Sequence, residues 1–268
     1  MKIIVFKGGL GNQMFQYVFY TWLKSKYNDK IYGFYGRKEL RGHNGFELSN
    51  VFPGLELPKE SFLLNLLVYY FKFQNKLTNR KNHEKSFYNT FSKEIIFDDY
   101  WQDLKYFQKR TTDFFIFTDN IGDRNEELLE YFKKNEIISL HVRRGDYLNL
   151  PDLYGNACDR EYYKKAIGYI ENKIESPVFA VFSDDMDWVK ENLQLSNALY
   201  VDWNRGKNAH IDMYLMSKCK HNIIANSTFS WWGAYLNDNT NKIVICPQRW
   251  FNDATQNPDI IQDNWIRI

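Results

Sequence analysis

Cysteine is scarce and badly spaced for covalent or metal architecture. Cys158, Cys219 and Cys246 are odd in number and far apart, which excludes a disulfide framework and a Cys-x-x-Cys metal site and fits a reducing, cytosolic compartment. No apolar run approaches the roughly 20 residues needed to cross a bilayer; the longest, 62–71, is broken by Asn65. A signal peptide is not expected, because Ile3-Ile4-Val5-Phe6 runs at once into Lys7-Gly8-Gly9 and leaves no room for an apolar h-region. Charge of one sign is also missing: 35 Lys and Arg face 33 Asp and Glu, a formal +2, which argues against bulk electrostatic binding of nucleic acid. Internal repeats and low-complexity segments are absent.

What is present is a chain of 268 residues that is 44% hydrophobic and 18% aromatic, enough for one large or two small globular domains. Its 19 Tyr, 21 Phe and 8 Trp suit either stacking faces for sugars and bases or an aromatic-rich core. Apolar runs alternate with amphipathic stretches. A strand over 3–6, a helix over about 12–27 and a strand over 31–35 make an opening βαβ unit. From residue 136 strands are expected over 137–142, 178–182, 198–201, 222–225 and 242–246, with helices near 160–174, 187–193, 209–219 and 230–236. This alternation implies parallel sheets covered on both faces. Two α/β halves, 1–135 and 136–268, are the simplest architecture, the last residues being able to pack back on the first domain. Between them, Lys72, Lys76, Arg80, Lys81 and Lys85 are opposed only by Glu84; they read as a solvated segment closing the first half, or as a contact for anionic lipid headgroups or glycan-lipid phosphate.

Four motifs sit at strand ends. Gly8-Gly9-Leu10-Gly11-Asn12-Gln13-Met14-Phe15 follows the first strand and opens the first helix, where glycines admit a ligand close to the backbone and a helix N-terminus offers N–H donors. It fails as a dinucleotide fingerprint, since Met14 stands where Gly or Ala is required. His141-Val142-Arg143-Arg144-Gly145-Asp146-Tyr147 ends another strand. Its arginines point to opposite faces, so one can reach an anionic ligand while the other pairs internally, with Asp146 one candidate. Phe182-Ser183-Asp184-Asp185-Met186-Asp187 offers acids for a divalent metal, for the N–H groups of guanine, or for a helix cap. Asn226-Ser227-Thr228-Phe229-Ser230-Trp231-Trp232-Gly233-Ala234 places hydroxyls and amides at a helix start, a phosphate cradle without lysine or an ordinary cap.

Together with His43-Asn44-Gly45-Phe46-Glu47-Leu48, Tyr100-Trp101-Gln102 and Met216-Ser217-Lys218-Cys219-Lys220, these motifs resemble, in order, the bacterial α-1,2-fucosyltransferases of glycosyltransferase family 11. The likeness fades only over about 58–98, and departures such as Asp99 and Tyr235 touch no implied role. The resemblance implies an α/β, GT-B-like fold, two Rossmann-type domains facing a central cleft, the first on the acceptor side and the second binding the donor. It implies inverting transfer of L-fucose from GDP-β-L-fucose to the 2-hydroxyl of a terminal β-galactose on a glycan acceptor, a polysaccharide repeat or a lactose-type sugar, with no metal and no other cofactor. Arg143 would contact the donor β-phosphate, with His141 near guanine and Arg144 beside them. Asp184 or Asp185 would bind guanine, Ser227, Thr228, Phe229 and Ser230 would form the phosphate loop, and Gly9, Gly11, Asn12 and Gln13 would face the donor from the first domain. Asn12 joins Arg143 as a catalytic candidate, and His43, Glu47 and Trp101 are acceptor-side candidates. A general base for the acceptor hydroxyl is open among His43, Glu47 and Asp146. Two rivals remain: a metal-dependent GT-A transferase clamping its ion through Asp185-Met186-Asp187, and a non-catalytic sugar-binding module. The expected location is the bacterial cytoplasm, with peripheral contact at the inner membrane possible through 72–85.

Overall fold

A computed structural model describes residues 1–41, 44–77, 94–118, 120–155 and 157–268, the side chains of 75–77 and 146 excepted. The chain divides into two compact units, Met1–Ile116 and Phe117–Ile268.

The first unit opens with β1 (Lys2–Val5), α1 (Leu10–Lys26) and β2 (Ile31–Phe34), followed by the short α2 (Leu48–Val51), α3 (Phe62–Leu77) and β3 (Ile96–Phe97). The three strands form a parallel sheet in the order β2-β1-β3. Every residue of β1 is buried, as a central parallel strand covered on both faces requires. Ile3 and Val5, one face by the two-residue period, pack with Phe34 and with Val68, Leu64 and Leu67 of α3. α1 has a continuous apolar side, including Met14, Phe15, Val18, Phe19 and Leu23, and ends on Lys24 and Lys26, which suit the negative end of the helix dipole. Phe19 stacks on Trp101 with centroids 3.8 Å apart and meets Tyr106 edge-on. Here the aromatic excess is core.

The second unit runs α4 (Asp123–Lys134), β4 (Ile137–Val142), α5 (Pro151–Tyr154), α6 (Arg160–Glu171), β5 (Val178–Ser183), α7 (Met186–Asn192), β6 (Ala198–Val201), α8 (His210–Lys218), β7 (His221–Ile223), α9 (Thr228–Tyr235), β8 (Val244–Cys246) and β9 (Ile266–Arg267). Its sheet is parallel throughout, in the order β6-β5-β4-β7-β8-β9. Ile138, Leu140 and Val142 look to one side, where Tyr163, Ala166 and Ile170 of α6 and Val189 of α7 cover them. Ile137, Ala180 and Phe182 look to the other, against Phe132 of α4 and Ile211 and Leu215 of α8. The sheet is doubly wound. Chain order runs outward from β4 to β6 and then resumes on the other side at β7, so the topological switch lies between the adjacent strands β4 and β7. In open α/β sheets ligands bind outside the carboxyl ends of the strands at such a switch.

The junction falls after Ile116, whereas the sequence places it at 135/136, because α4, polar except for its Leu128-Leu129-Phe132 side, packs into the second unit's core. At the end of the chain, Ile266 and Arg267 pair with Ile245 and Cys246 and extend the second sheet.

Candidate active site

The carboxyl ends of β5, β4 and β7, three adjacent strands, bring together the acidic, arginine and hydroxyl motifs. β4 delivers His141, Arg143 and Arg144, and each arginine meets an acid at the end of β5. Arg143 Nη1 lies 3.0 Å from Asp184 Oδ2, and Arg144 Nε donates to Asp185 Oδ2 at 3.1 Å. Asp185 is thus an internal partner of Arg144; the side chain of the sequence candidate Asp146 lies outside those described. The Arg144 guanidinium also lies over the Trp188 ring, 4.1 Å from its centroid, a cation–π contact that further fixes it.

The two acids differ in remaining capacity. Asp184 accepts the Arg144 N–H through Oδ1 at 2.9 Å and the Gly145 N–H through Oδ2 at 3.2 Å, in addition to Arg143. It braces the turn after β4. A Cβ on Gly145 would stand 2.8 Å from Asp184 Oδ2, so the approach depends on glycine. Asp185 caps α7 by accepting the Trp188 N–H through Oδ1 at 3.2 Å and holds Arg144 through Oδ2. A carboxylate offers about four acceptor positions; Asp185 retains one on each oxygen, whereas Asp184 has filled both positions of Oδ2.

His141 is 6% exposed, its ring 5.9 Å from that of Phe229, and its buried Nδ1 has no hydrogen-bond partner among the described residues. Burial lowers its pKa to about 4; neighbouring Asp184 opposes that shift and Arg143 adds to it. The ring is neutral at pH 7 and carries an unsatisfied polar atom beside the switch point. From β7, Ser227 caps α9 by accepting the Phe229 N–H, and the Ser230 hydroxyl donates to Ser227 O at 3.4 Å. Thr228 and Phe229 are half-exposed where the helix dipole is positive. Trp231 and Trp232 of the same motif are fully buried, Trp231 donating Nε1–H to Ile260 O at 2.8 Å. They anchor α9 and are not sugar platforms. Sequence reasoning gave no role to Tyr147, which joins two of these motifs: its hydroxyl donates to Asn226 O at 2.9 Å while its ring lies 5.8 Å from the Arg143 guanidinium. An aromatic three residues beyond the arginine pair was the available signal.

The glycine motif of the first unit is a locked turn. Gly8 has φ +75, and a Cβ there would meet Asn12 Nδ2 at 2.6 Å, so only glycine fits comfortably. Gln13, fully buried, donates to Gly8 O and Gly45 O at 2.9 Å each and accepts the Glu47 N–H at 2.8 Å. Glu47 in turn accepts the Leu10 N–H at 3.1 Å and the Asn44 side chain at 3.2 Å, and burial raises its pKa. Gln13 and the buried Gly11 thus shape the turn, while Gly9 and Asn12 keep partial exposure; Asn12 Oδ1 accepts from Gln102 Nε2 at 2.9 Å. Glu47 is a brace for the first turn of α1, and Trp101 is core. His43 lies outside the described residues.

Two α/β units with parallel sheets, the second doubly wound with its motifs gathered at the switch point, define a protein of the GT-B-like class. The fold is shared with the fucosyltransferase NodZ from Bradyrhizobium: a NodZ structure soaked with GDP-fucose superposes with a TM-score of 0.53 at 15% identity over 87% of this chain and 91% of that one. The chain belongs to glycosyltransferase family 11, whose family description, Glycosyl transferase family 11, matches residues 56–268. An alpha-1,2-colitosyltransferase of Escherichia coli is 32% identical over 100% of this chain and 99% of its own length. The galactoside alpha-(1,2)-fucosyltransferase 1 of Bos taurus is 32% identical over 39% of this chain and 30% of its own. The protein is an enzyme, a glycosyltransferase.

Proposed function

We propose that the enzyme moves L-fucose from GDP-β-L-fucose to the 2-hydroxyl of a terminal β-galactose, with inversion and without a metal ion. The observation that carries this reading is the gathering of Arg143, Asp185, His141 and the α9 N-terminus at one sheet switch point, a set suited to a guanosine diphosphate. Guanine presents two N–H donors on one edge, and Asp185, with one acceptor position left on each oxygen, is the acid that meets both. Neutral His141 supplies a buried polar atom awaiting a partner. Arg143 and the hydroxyl-capped start of α9 face the diphosphate.

The chemistry follows from charge. As the glycosidic bond breaks, the β-phosphate oxygen gains negative charge, and groups fixed in place beforehand stabilise that charge more than the ground state. Arg143, oriented by Asp184, and the α9 amides and hydroxyls do so here. Attack by the acceptor 2-hydroxyl on the opposite face forms the new bond to the anomeric carbon as the bond to the β-phosphate oxygen breaks and GDP departs. The hydroxyl proton passes to a general base, and the β-linked donor sugar becomes an α-linked product. Asn12, half-exposed beside the Gly8–Gly9 turn, is the catalytic candidate carried by the first unit. The acids at the end of β5 brace backbone amides, cap α7 and hold the arginines, and the acceptor positions left on Asp185 are assigned to guanine, which favours these fixed groups over a metal clamp as the counter-charge. Location in the bacterial cytoplasm with peripheral contact at the inner membrane completes the reading.

A second donor is favoured by one finding, the full-length relative named for colitose: GDP-colitose is the counterpart lacking the 3-hydroxyl of fucose. Calorimetry with GDP, UDP and ADP, followed by competition between the two GDP-sugars, tests both readings. Tight binding of GDP alone and turnover of GDP-fucose support the proposal. Equal affinity for UDP overturns the guanine assignment, and turnover restricted to GDP-colitose transfers the donor to the second reading.

A further inference from the structure

Helix α3 (Phe62–Leu77) is apolar on both sides. Leu64, Leu67 and Val68 pack on the first unit's sheet, yet Phe62, Leu63, Leu66, Tyr70 and Phe73 on its outward side are 77%, 76%, 53%, 57% and 59% exposed. Their spacing follows the helical repeat, so they form one continuous stripe. Scattered exposed hydrophobics are ordinary; an ordered stripe of them marks a surface that something covers.

Length and charge identify what covers it. Sixteen residues rise only about 24 Å, short of the roughly 30 Å hydrocarbon core, so α3 can lie on a bilayer but cannot cross one. No described helix is long and apolar enough to cross a membrane. Glu39, nearly buried, is tied to Lys72 of α3 at 2.7 Å, and the turn that holds Glu39 exposes Arg37, Lys38 and Arg41. Lys72 is held on one flank of α3 by Glu39 and by Asp98 at 3.2 Å, and the exposed cations belong to the turn tied to α3 through that pair. Lys76, Arg80, Lys81 and Lys85 follow in the sequence, their side chains outside those described. An outward apolar stripe with tyrosine on it, on a helix tied to a cationic turn and followed by a basic segment, is the composition of a helix lying in the headgroup layer of an anionic membrane.

We propose that α3 is the membrane-docking element of this enzyme, seating its outward stripe in the interface of an anionic bilayer. This gives the peripheral contact proposed above a structural basis and is independent of the donor and acceptor assignment. The full-length protein is mixed with sedimenting vesicles of phosphatidylethanolamine containing about one-third phosphatidylglycerol, and with vesicles of phosphatidylcholine alone. Partition onto the anionic vesicles is expected, weakened by salt, and reduced about tenfold or more by Leu63→Glu with Leu66→Glu. Both positions are exposed, so the variant should keep its melting temperature and its turnover of a soluble galactoside. Should it fail to fold, Leu66→Trp gives an independent readout, a blue-shifted emission that appears only when anionic vesicles are added. Three results overturn the proposal: no partition of the parent protein, partition unaltered by the glutamates, or a blue shift and a dimer in the absence of lipid, which would assign the stripe to a second copy of the chain.

Discussion

Arg143 and Arg144 are adjacent in sequence and separate in role. Arg144 is held by Asp185 and by the Trp188 ring, an internal clamp; Arg143 is steadied by Asp184 close to where phosphate is proposed to bind. Arg143→Lys keeps the charge and loses the planar fork, so turnover should fall on the order of a hundredfold or more, about 2.7–4 kcal/mol, with little change in melting temperature. Arg144→Lys should do the reverse, costing on the order of 1 kcal/mol of stability through the lost stacking and less in turnover. Paired kinetics and thermal melts check both. A second test belongs to His141. Its folded-state pKa of about 4 lies below the ordinary 6.5, so between those values the unfolded chain binds the extra proton, and stability is lost as pH falls from about 6.5 to about 4. The loss approaches about 3 kcal/mol. His141→Phe should flatten this part of the profile in urea titrations run across that range. Asp212, raised to about 7 by burial, titrates with the opposite sign, its contribution being lost as pH rises, so the difference between parent and variant is the quantity to read. The motifs named these residues but not their partners. Asp184 reads from sequence as a ligand contact, and nothing local reveals that it accepts two backbone amides forty residues away in the chain.

At the scale of elements, the strands that carry the site were legible because each ends in a motif and lies in an apolar run of strand length. β3 and β9, with two residues each, are too short to leave a periodic signal, and α3 was read as an apolar run followed by a basic segment because a helix apolar on both sides has no amphipathic signature. α4 was missed for the opposite reason, too little apolar surface. The paired helices α8 and α9 carry the clearest prediction. A Cβ on Gly233 would stand 2.8 Å from the Met216 Cβ and 3.2 Å from its Sδ, and a Cβ fixed to the α8 backbone cannot swing aside. Gly233→Ala should force the helices apart and cost about 1–3 kcal/mol, seen as a melting temperature lower by several degrees. Because α9 begins at Thr228, GDP affinity should weaken in the same variant.

For the whole molecule, the α/β class and the two-unit plan could be read from alternating strands and helices, while the junction could not, since 117–134 has no motif and little apolar periodicity. The proposed reaction is transfer of fucose with inversion, fixed positive groups serving as the counter-charge for the departing diphosphate. A single turnover in excess EDTA, with enzyme above GDP-fucose and a β-galactoside acceptor present, tests it most directly when the product linkage is read by NMR. An α-1,2-linked fucosyl galactoside at an undiminished single-turnover rate is expected; a β-linked product, or none until manganese or magnesium is restored, overturns the proposed mechanism.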